Sequence, residues 1–256
     1  MPFENFGRDT RRFVYTSSRI IITRFPFWEA FSTAMLLGEL DGRGRLHHVP
    51  DYAIYAHIGV CIILGSLMSF DEGKRRFASQ LSAAQMAFVA FASFGIWNRT
   101  SQMMALKIVS RYLGVMASYL LLSGGFADMK ASHRRFAQLG NFTVGMCLIS
   151  EAYLLYSWPT ERAKVMSLLP SQLINFEEII VIVYCALFCL CAFCFMSGSN
   201  LNSGSKCALA LWFLVVLANL DYKYWANYVE LWTQFRIIAA DICFTSLLAV
   251  NYVMRS

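Results

Sequence analysis

The sequence predicts an all-α membrane protein, a polytopic bundle of about eight transmembrane helices. Of its 256 residues, 57% are apolar and only 15% are charged, and the mean hydropathy is +0.49. A soluble globular domain carries about 25% charged residues. The chain also contains eight apolar runs near the length of about 20 residues that a helix needs to cross a bilayer. We therefore expect one integral membrane domain over residues 1–256, with the lipid bilayer as its surroundings.

The eight runs follow one another with short polar connections. The first contains Pro26, which removes a backbone hydrogen bond and so predicts a kink. The longest connection, about residues 157–175, is too short for a soluble domain, and we expect a loop there. The predicted helices cover residues 14–38, 52–70, 77–97, 107–126, 136–156, 176–197, 205–222 and 231–253.

Lysine and arginine are distributed unequally between the two sides of this predicted bundle. The side that holds both termini carries eleven of them and the other side seven. Because basic residues accumulate in cytoplasmic loops, both termini are expected in the cytosol, although the sequence leaves open in which membrane. The net charge of +6 comes from these short basic clusters between apolar runs, so we expect no nucleic-acid partner. A glycosylation sequon at Asn98 lies hard against the membrane on the other side, where we expect little use.

No pattern of enzyme chemistry is recognisable in the sequence. We find no glycine-rich phosphate loop, no His-x-x-x-His pair and no nucleophile level with a histidine and an acid. The adjacent His47 and His48 lie in a loop without further ligands nearby, and the eight cysteines fall in or beside apolar runs. Hence we expect no catalytic activity, no cofactor and no metal site.

Charged residues inside the apolar runs are the candidate functional residues. A charge at the bilayer centre costs about 2.5–3.5 kcal/mol, so buried charges tend to pair. The first helix carries Arg24 and Glu29, and the last carries Arg236 and Asp241. The residue numbers of Arg24 and Asp241 add to 265, as do those of Glu29 and Arg236. If the two helices pack antiparallel, one register would therefore join both pairs.

A second candidate pair lies in the hairpin of the fourth and fifth helices. Arg111 and Glu151 are about equally far from the turn, so a simple hairpin brings them to the same level. His57 and Glu177 fall in the same, non-cytosolic half of the bundle and are candidates for a polar vestibule. Two interpretations stay open for these groups: a wet cavity with ionisable walls, or structural pairs, a packed histidine and a solvated helix start.

Several short segments, spread along most of the chain, form a recognisable set. They are "TRFPFW" (23–28), "MSF" with "KRRFA" (68–78), "SR" with "LLSGG" (110–125), "LLP" (168–170), "MSG" (196–198) and "YW" followed by "VELW" (224–232). In order and spacing these segments resemble the transmembrane protein 101 family. The resemblance implies a multi-pass membrane protein of about eight helices, with a link to activation of NF-kappa-B signalling and without assigned catalytic or binding residues.

Two hypotheses about function follow. The first is a non-catalytic membrane protein that acts through interactions with protein partners that the sequence does not name; the resemblance implies a role in NF-kappa-B signalling. The alternative is a transporter of an unnamed small molecule or ion that uses the intramembrane charges. A continuous cavity lined by these charges would favour transport, whereas a dry bundle with paired charges would favour the first hypothesis.

Overall fold

The computed structural model describes residues 7–41, 51–97, 102–126, 133–168, 170, 176–220 and 231–255. Within these residues the regular secondary structure is helical throughout, which confirms the predicted all-α class. A π-helical turn, Leu122–Phe126, extends the fourth helix. In chain order the α-helices of the described residues are α1 (Arg8–Asp41), α2 (Asp51–Phe70), α3 (Arg75–Trp97), α4 (Gln102–Leu121), α5 (Arg134–Ser157), α6 (Pro159–Met166), α7 (Glu177–Ser197), α8 (Leu201–Asn219) and α9 (Leu231–Arg255).

Each of the eight predicted helices corresponds to one long helix among the described residues. Six of them, namely α1, α2, α4, α7, α8 and α9, are long and apolar enough to cross a membrane. The helices α3 and α5 have 23 and 24 residues, enough for a crossing that needs about 20, but neither contains a stretch as apolar as those of the six. The protein is thus a helical membrane protein, and the number of eight crossings stays a prediction. Asn98 and the end of the predicted 205–222 helix lie outside the described residues.

The first helix is longer than predicted and passes through its proline. It runs as one helix of 34 residues with Pro26 inside it. Close to this point α1 meets α2, where the ring of Phe27 lies against Gly65. A Cβ atom at Gly65 would lie only 3.2 Å from that ring. The absence of a side chain at Gly65 therefore lets the two helices approach closely, as small residues do in membrane bundles.

The long helices, α4 among them, form a closed ring, and α4 also contacts helices on the far side of the ring. Each packs against the next along the chain, except that α5 packs against α7, and α1 packs against α9 to close the ring. The fourth helix contacts α3, α5 and α9 and touches α1. Its interior position explains why 78% of its candidate membrane-spanning stretch is buried inside the protein. Any charged side chain on α4 must consequently find its partners inside the protein.

One helix was not predicted. Residues Pro159–Met166 form α6, inside the segment expected to be a loop. A proline in the first turn is favourable because its missing N–H group has no partner there in any helix. This short helix packs beside the ends of α5 and α8. We call this end of the bundle the α6 end.

Candidate functional site

Glu29 of α1 is the centre of the first buried charge network. Its carboxylate accepts hydrogen bonds from Arg236 of α9 and, at 2.9 Å, from the hydroxyl of Tyr112 of α4. Arg236 also donates to the hydroxyl of Tyr112. Glu29 is only 1% exposed. The structure thus brings together the predicted Glu29 and Arg236 and adds Tyr112, which the sequence interpretation did not include.

His57 of α2 completes this first network. Its Nε2 atom lies 3.6 Å from Oε1 of Glu29. On the other side of the ring, the side-chain amide of Gln85 donates to Nδ1 at 2.9 Å and to the His57 carbonyl at 3.3 Å. An accepting Nδ1 leaves the proton of the neutral ring on Nε2, facing Glu29. We call Glu29, His57, Tyr112 and Arg236 the Glu29 network.

Arg111 of α4 is the centre of a second network. Its guanidinium donates two hydrogen bonds to the carboxylate of Glu151 of α5. Its Nε atom lies 2.8 Å from Oδ1 of Asp241 of α9. The guanidinium also lies over the ring of Trp212 of α8, 4.9 Å from the centroid, in a cation–π arrangement. The structure therefore brings together the predicted Arg111 and Glu151, and it adds Asp241 as a third member.

The predicted contact between Arg24 and Asp241 is not made. Arg24 is exposed, and the buried Asp241 contacts Arg111 and accepts a hydrogen bond from the Asn219 amide at 2.8 Å. The reason is helical rotation. Arg24 and Glu29 are five residues apart, which places them about 140° apart around α1. When Glu29 faces α9, Arg24 must point away from it.

The second network continues to α6 through Lys107. The ammonium group of Lys107 donates to both carboxylate oxygens of Glu161, at 2.8 and 2.9 Å, and to Oδ1 of Asn219 at 2.8 Å. Lys164 donates to the same Glu161 at 2.7 Å. Burial raises the pKa of Glu161, but the two ammonium groups outweigh burial and lower the pKa to about 2. Glu161 is therefore held ionised between two lysines.

The sequence interpretation missed this part because it treated residues 157–175 as a loop. The signals of a short helix were present. Pro159 stands at its start, Glu161 lies in the first turn and Lys164 in the last, which is the arrangement that the helix dipole favours.

We call the whole of this second network the Arg111 network. Its seven members are Lys107, Arg111, Glu151, Glu161, Lys164, Asn219 and Asp241.

Glu177 lies apart from both networks. Its side chain is 41% exposed, and the nearest basic atom is Nε of Arg162 at 4.0 Å. Of the two predicted vestibule residues, His57 therefore belongs to a buried network and Glu177 lies at the surface of the α6 end.

A small cavity lies between the two networks. Its volume is about 30 Å³, and a cavity of roughly 10–15 Å³ already holds one water molecule. Arg111 and Arg236, the arginines of the two networks, line it. The three acidic residues that contact them, Glu29, Glu151 and Asp241, do not. The lining residues are Leu36, Ser93, Ile108, Arg111, Tyr112, Thr233, Arg236, Ile237 and Ala240.

Comparison with known proteins identifies the family of the chain. The family model described as the TMEM101 protein family matches residues 10–253, nearly the whole chain. The chain belongs to the TMEM101 protein family. The resemblance inferred from the sequence is thereby confirmed. No solved structure matches the chain.

In this TMEM101 family member the networks balance their charges. Arg111, Arg236 and two lysines face an equal number of carboxylates, with Glu29, Glu151, Asp241 and Glu161 as the acids. Balanced and paired charges are the form in which ionisable groups are tolerated inside a membrane. Removal of one partner of a buried pair typically costs about 3–5 kcal/mol, because the other charge is left uncompensated. The networks thus hold seven helices in one arrangement: α1, α2, α4, α5, α6, α8 and α9.

Two segments that carry the family resemblance adjoin the networks. "TRFPFW" ends immediately before Glu29, and the segment 110–125 contains Arg111. The same segment ends at Gly125, whose φ of 86° falls in the left-handed region that glycine adopts without strain. One of these family-like segments therefore contains Arg111, the central residue of the second network, and the other adjoins Glu29, the central residue of the first.

Proposed function

We propose that this TMEM101 family member is a non-catalytic multi-pass membrane protein that acts through interactions with other proteins. The observation that supports this proposal is that the intramembrane charges bind one another. Glu29 binds Arg236, and Arg111 binds Glu151 and contacts Asp241. A transport pathway needs a continuous cavity lined by these groups. The cavity of about 30 Å³ between the networks is far too small for one.

The family resemblance suggests a pathway in which to look for such interactions. We propose that the protein contributes to NF-kappa-B signalling, without a cofactor and without an enzymatic step of its own. The basic residues favour an arrangement with both termini in the cytosol. In that arrangement the α6 end, where both networks lie, faces away from the cytosol. Partners in signalling would then contact the opposite end or the lipid-facing sides of the helices.

An NF-kappa-B reporter in cells that express the full chain tests this proposal. Ser93→Leu places a large side chain in the cavity, whereas Ala92→Leu adds a leucine at the neighbouring position, which is outside the cavity lining. If the protein acts by interaction, both variants keep the reporter response of the unsubstituted chain. A response lost in Ser93→Leu and kept in Ala92→Leu, at equal expression, would contradict it. A reporter that the unsubstituted chain does not raise would refute the signalling role.

Epitope tags at the two ends test the proposed orientation. After permeabilisation of the plasma membrane alone, antibodies should reach both tags if the termini face the cytosol. A tag that is reached only after all membranes are permeabilised would place that terminus on the other side. This result would leave the interaction proposal standing and would move the α6 end to the cytosolic face.

Transport is the second candidate, and one observation favours it. Ionisable residues inside membrane helices often mark substrate pathways, and here two arginines line a cavity between four helices. Single cysteines at Ser93 or Ala240, in a chain without its native cysteines, test this candidate without breaking an ion pair. Labelling of either position by a small hydrophilic thiol reagent from both sides of the membrane would support transport. The interaction proposal predicts labelling from one side at most.

A further inference from the structure

The cavity between the networks presents buried hydrogen-bond donors to its interior. Nε of Arg236 and Oγ1 of Thr233 are buried atoms with no hydrogen-bond partner among the residues that the structure describes. Nε of Arg111 lies 2.8 Å from Asp241 but outside hydrogen-bond geometry. Buried donors are nearly always satisfied in folded proteins. Because Arg111 Nε faces Asp241, two unpartnered donors remain on residues that line the cavity, Arg236 Nε and Thr233 Oγ1, and they indicate an occupant that accepts hydrogen bonds.

The charges around the cavity are arranged to favour a negative occupant. The carboxylates of Glu29, Glu151 and Asp241 bind the two guanidiniums but do not line the cavity. An occupant of the cavity therefore borders two arginines and no residue that carries a carboxylate. The remaining lining consists mostly of apolar residues, which lowers the local dielectric constant and strengthens each electrostatic contact. These apolar lining residues are Leu36, Ile108, Ile237 and Ala240.

We propose that the cavity binds a small monatomic anion of the halide class, such as chloride. Its volume of about 30 Å³ exceeds what one water-sized occupant needs, roughly 10–15 Å³, but leaves no room for a large organic anion. Thr233 supplies an O–H donor, Arg236 supplies an N–H donor, and both arginines supply positive charge. Because the acids and bases of the two networks balance, the site should bind an anion less tightly than a site with a net positive charge would. This inference goes beyond the interaction proposal and does not depend on it.

Thermal unfolding of the purified full chain in lipid nanodiscs tests the site. The Tm is measured with sodium chloride, sodium bromide or sodium gluconate at constant ionic strength. A ligand that binds the folded state raises the Tm in a saturable manner. Chloride and bromide should therefore raise the Tm relative to gluconate, and the line width of the chloride-35 NMR signal should increase in the presence of the protein. Equal Tm values in the three salts would overturn the proposal and leave water as the occupant.

Two threonines of α9 provide a matched pair of variants. Thr233→Val removes the O–H donor from the cavity without touching an ion pair. Thr245→Val removes a hydroxyl that bonds the Asp241 carbonyl of its own helix at 2.7 Å, outside the cavity lining. Thr233→Val should raise the half-saturating halide concentration roughly three- to tenfold, the factor that corresponds to one hydrogen bond. Thr245→Val should leave it unchanged.

A halide response in Thr233→Val equal to that of the unsubstituted chain would place the anion elsewhere and overturn the proposal. If Thr233→Val does not fold, Ala240→Val serves in its place. It narrows the cavity while leaving every polar group intact. It should weaken the halide response as well, and an unweakened response would again contradict the site.

Discussion

The buried Glu29 of α1 and the half-buried Arg236 of α9 form an ion pair although 207 residues separate them in the chain. The pair lies where the first and last helices pack against each other and close the ring of long helices. The hydroxyl of Tyr112 of α4 donates a hydrogen bond to the same carboxylate, so Glu29 also links α4 to this pair of helices. A single carboxylate thus connects three helices that are far apart in sequence.

Substitution of Glu29 is expected to destabilise the protein strongly. Glu29→Gln leaves the guanidinium of Arg236 buried without its negative partner, and such a loss typically costs about 3–5 kcal/mol. The measurement is the free energy of unfolding in mixed micelles, compared with that of the unsubstituted chain. Glu178→Gln is the control, because Glu178 is exposed at the start of α7, and it should change the free energy by less than about 0.5 kcal/mol.

A charge reversal isolates the pair itself. Glu29→Arg and Arg236→Glu should each destabilise the protein, and the double variant should recover part of the loss because opposite charges again face each other. The coupling free energy from the double-mutant cycle is expected to be at least about 1 kcal/mol. A coupling near zero would mean that the two side chains do not interact.

Arg111 is expected to be irreplaceable by lysine. Its planar guanidinium donates two hydrogen bonds to Glu151 while Nε contacts Asp241 and its face covers Trp212. A lysine supplies one compact charge and cannot make this set of contacts together. Arg111→Lys should therefore lower the free energy of unfolding by about 2–4 kcal/mol, somewhat less than the roughly 3–5 kcal/mol for the loss of one partner of a buried pair, because lysine keeps the positive charge.

The exposed Arg24 provides the comparison for Arg111→Lys in the same measurement. Arg24→Lys should have almost no effect, since exposed substitutions usually stay within about 0.5 kcal/mol. Equal losses in the free energy of unfolding for Arg111→Lys and Arg24→Lys would contradict this prediction. They would mean that the contacts of the Arg111 guanidinium add no stability beyond that of its positive charge.

Glu161 predicts a specific dependence of stability on pH. Its pKa in the folded protein is about 2, below the ordinary value of 4.5, because Lys107 and Lys164 outweigh the effect of burial. A folded-state pKa below the unfolded one gives stability that is complete above about pH 4.5 and is lost as the pH falls towards 2. By linkage, the lost amount is on the order of 3 kcal/mol. The measurement is the free energy of unfolding from pH 6 to pH 2.

Glu161→Gln provides the test of this assignment. The variant should be less stable at neutral pH and should lose less stability than the unsubstituted chain between pH 4.5 and 2. Glu178→Gln should keep the original pH profile. If the profile of Glu161→Gln matches that of the unsubstituted chain over this range, the ion pairs of α6 do not cause the acid sensitivity.

The sequence predicted pairs whose geometry follows from topology alone. Arg111 and Glu151 lie at one level of a hairpin, and Glu29 and Arg236 share a register of two antiparallel helices, so residue numbers sufficed. The sequence could not predict that Arg111 would contact Asp241, or that Lys107 would reach Glu161, because these contacts depend on which distant helices surround α4. The failed contact of Arg24 with Asp241 has a related cause. Matching residue numbers place two residues at the same height along their helices, but they do not say in which direction each side chain points.

Close packing of α4 against α9 predicts that substitution of alanine for glycine has opposite effects on stability at two positions. A Cβ at Gly114 would lie 3.0 Å from the ring of Phe244, whereas one at Gly59 would meet nothing within 4 Å. Phe244 is 1% exposed and packs on Trp212 with ring centroids 4.5 Å apart, so it has little room to move. Overpacking costs about 1–3 kcal/mol, which exceeds the gain in helix propensity of up to about 1 kcal/mol.

Gly114→Ala should therefore lower the free energy of unfolding, by up to about 2 kcal/mol when these two effects are combined. Gly59→Ala should leave it unchanged or raise it by up to about 1 kcal/mol. Both variants are measured by unfolding in the same micelles, so the contribution of the helix backbone cancels and the difference reports the contact with Phe244. A Gly114→Ala protein as stable as Gly59→Ala would mean that α4 and α9 are less closely packed than this contact requires, and the positions of Arg111 and Asp241 would then be less constrained as well.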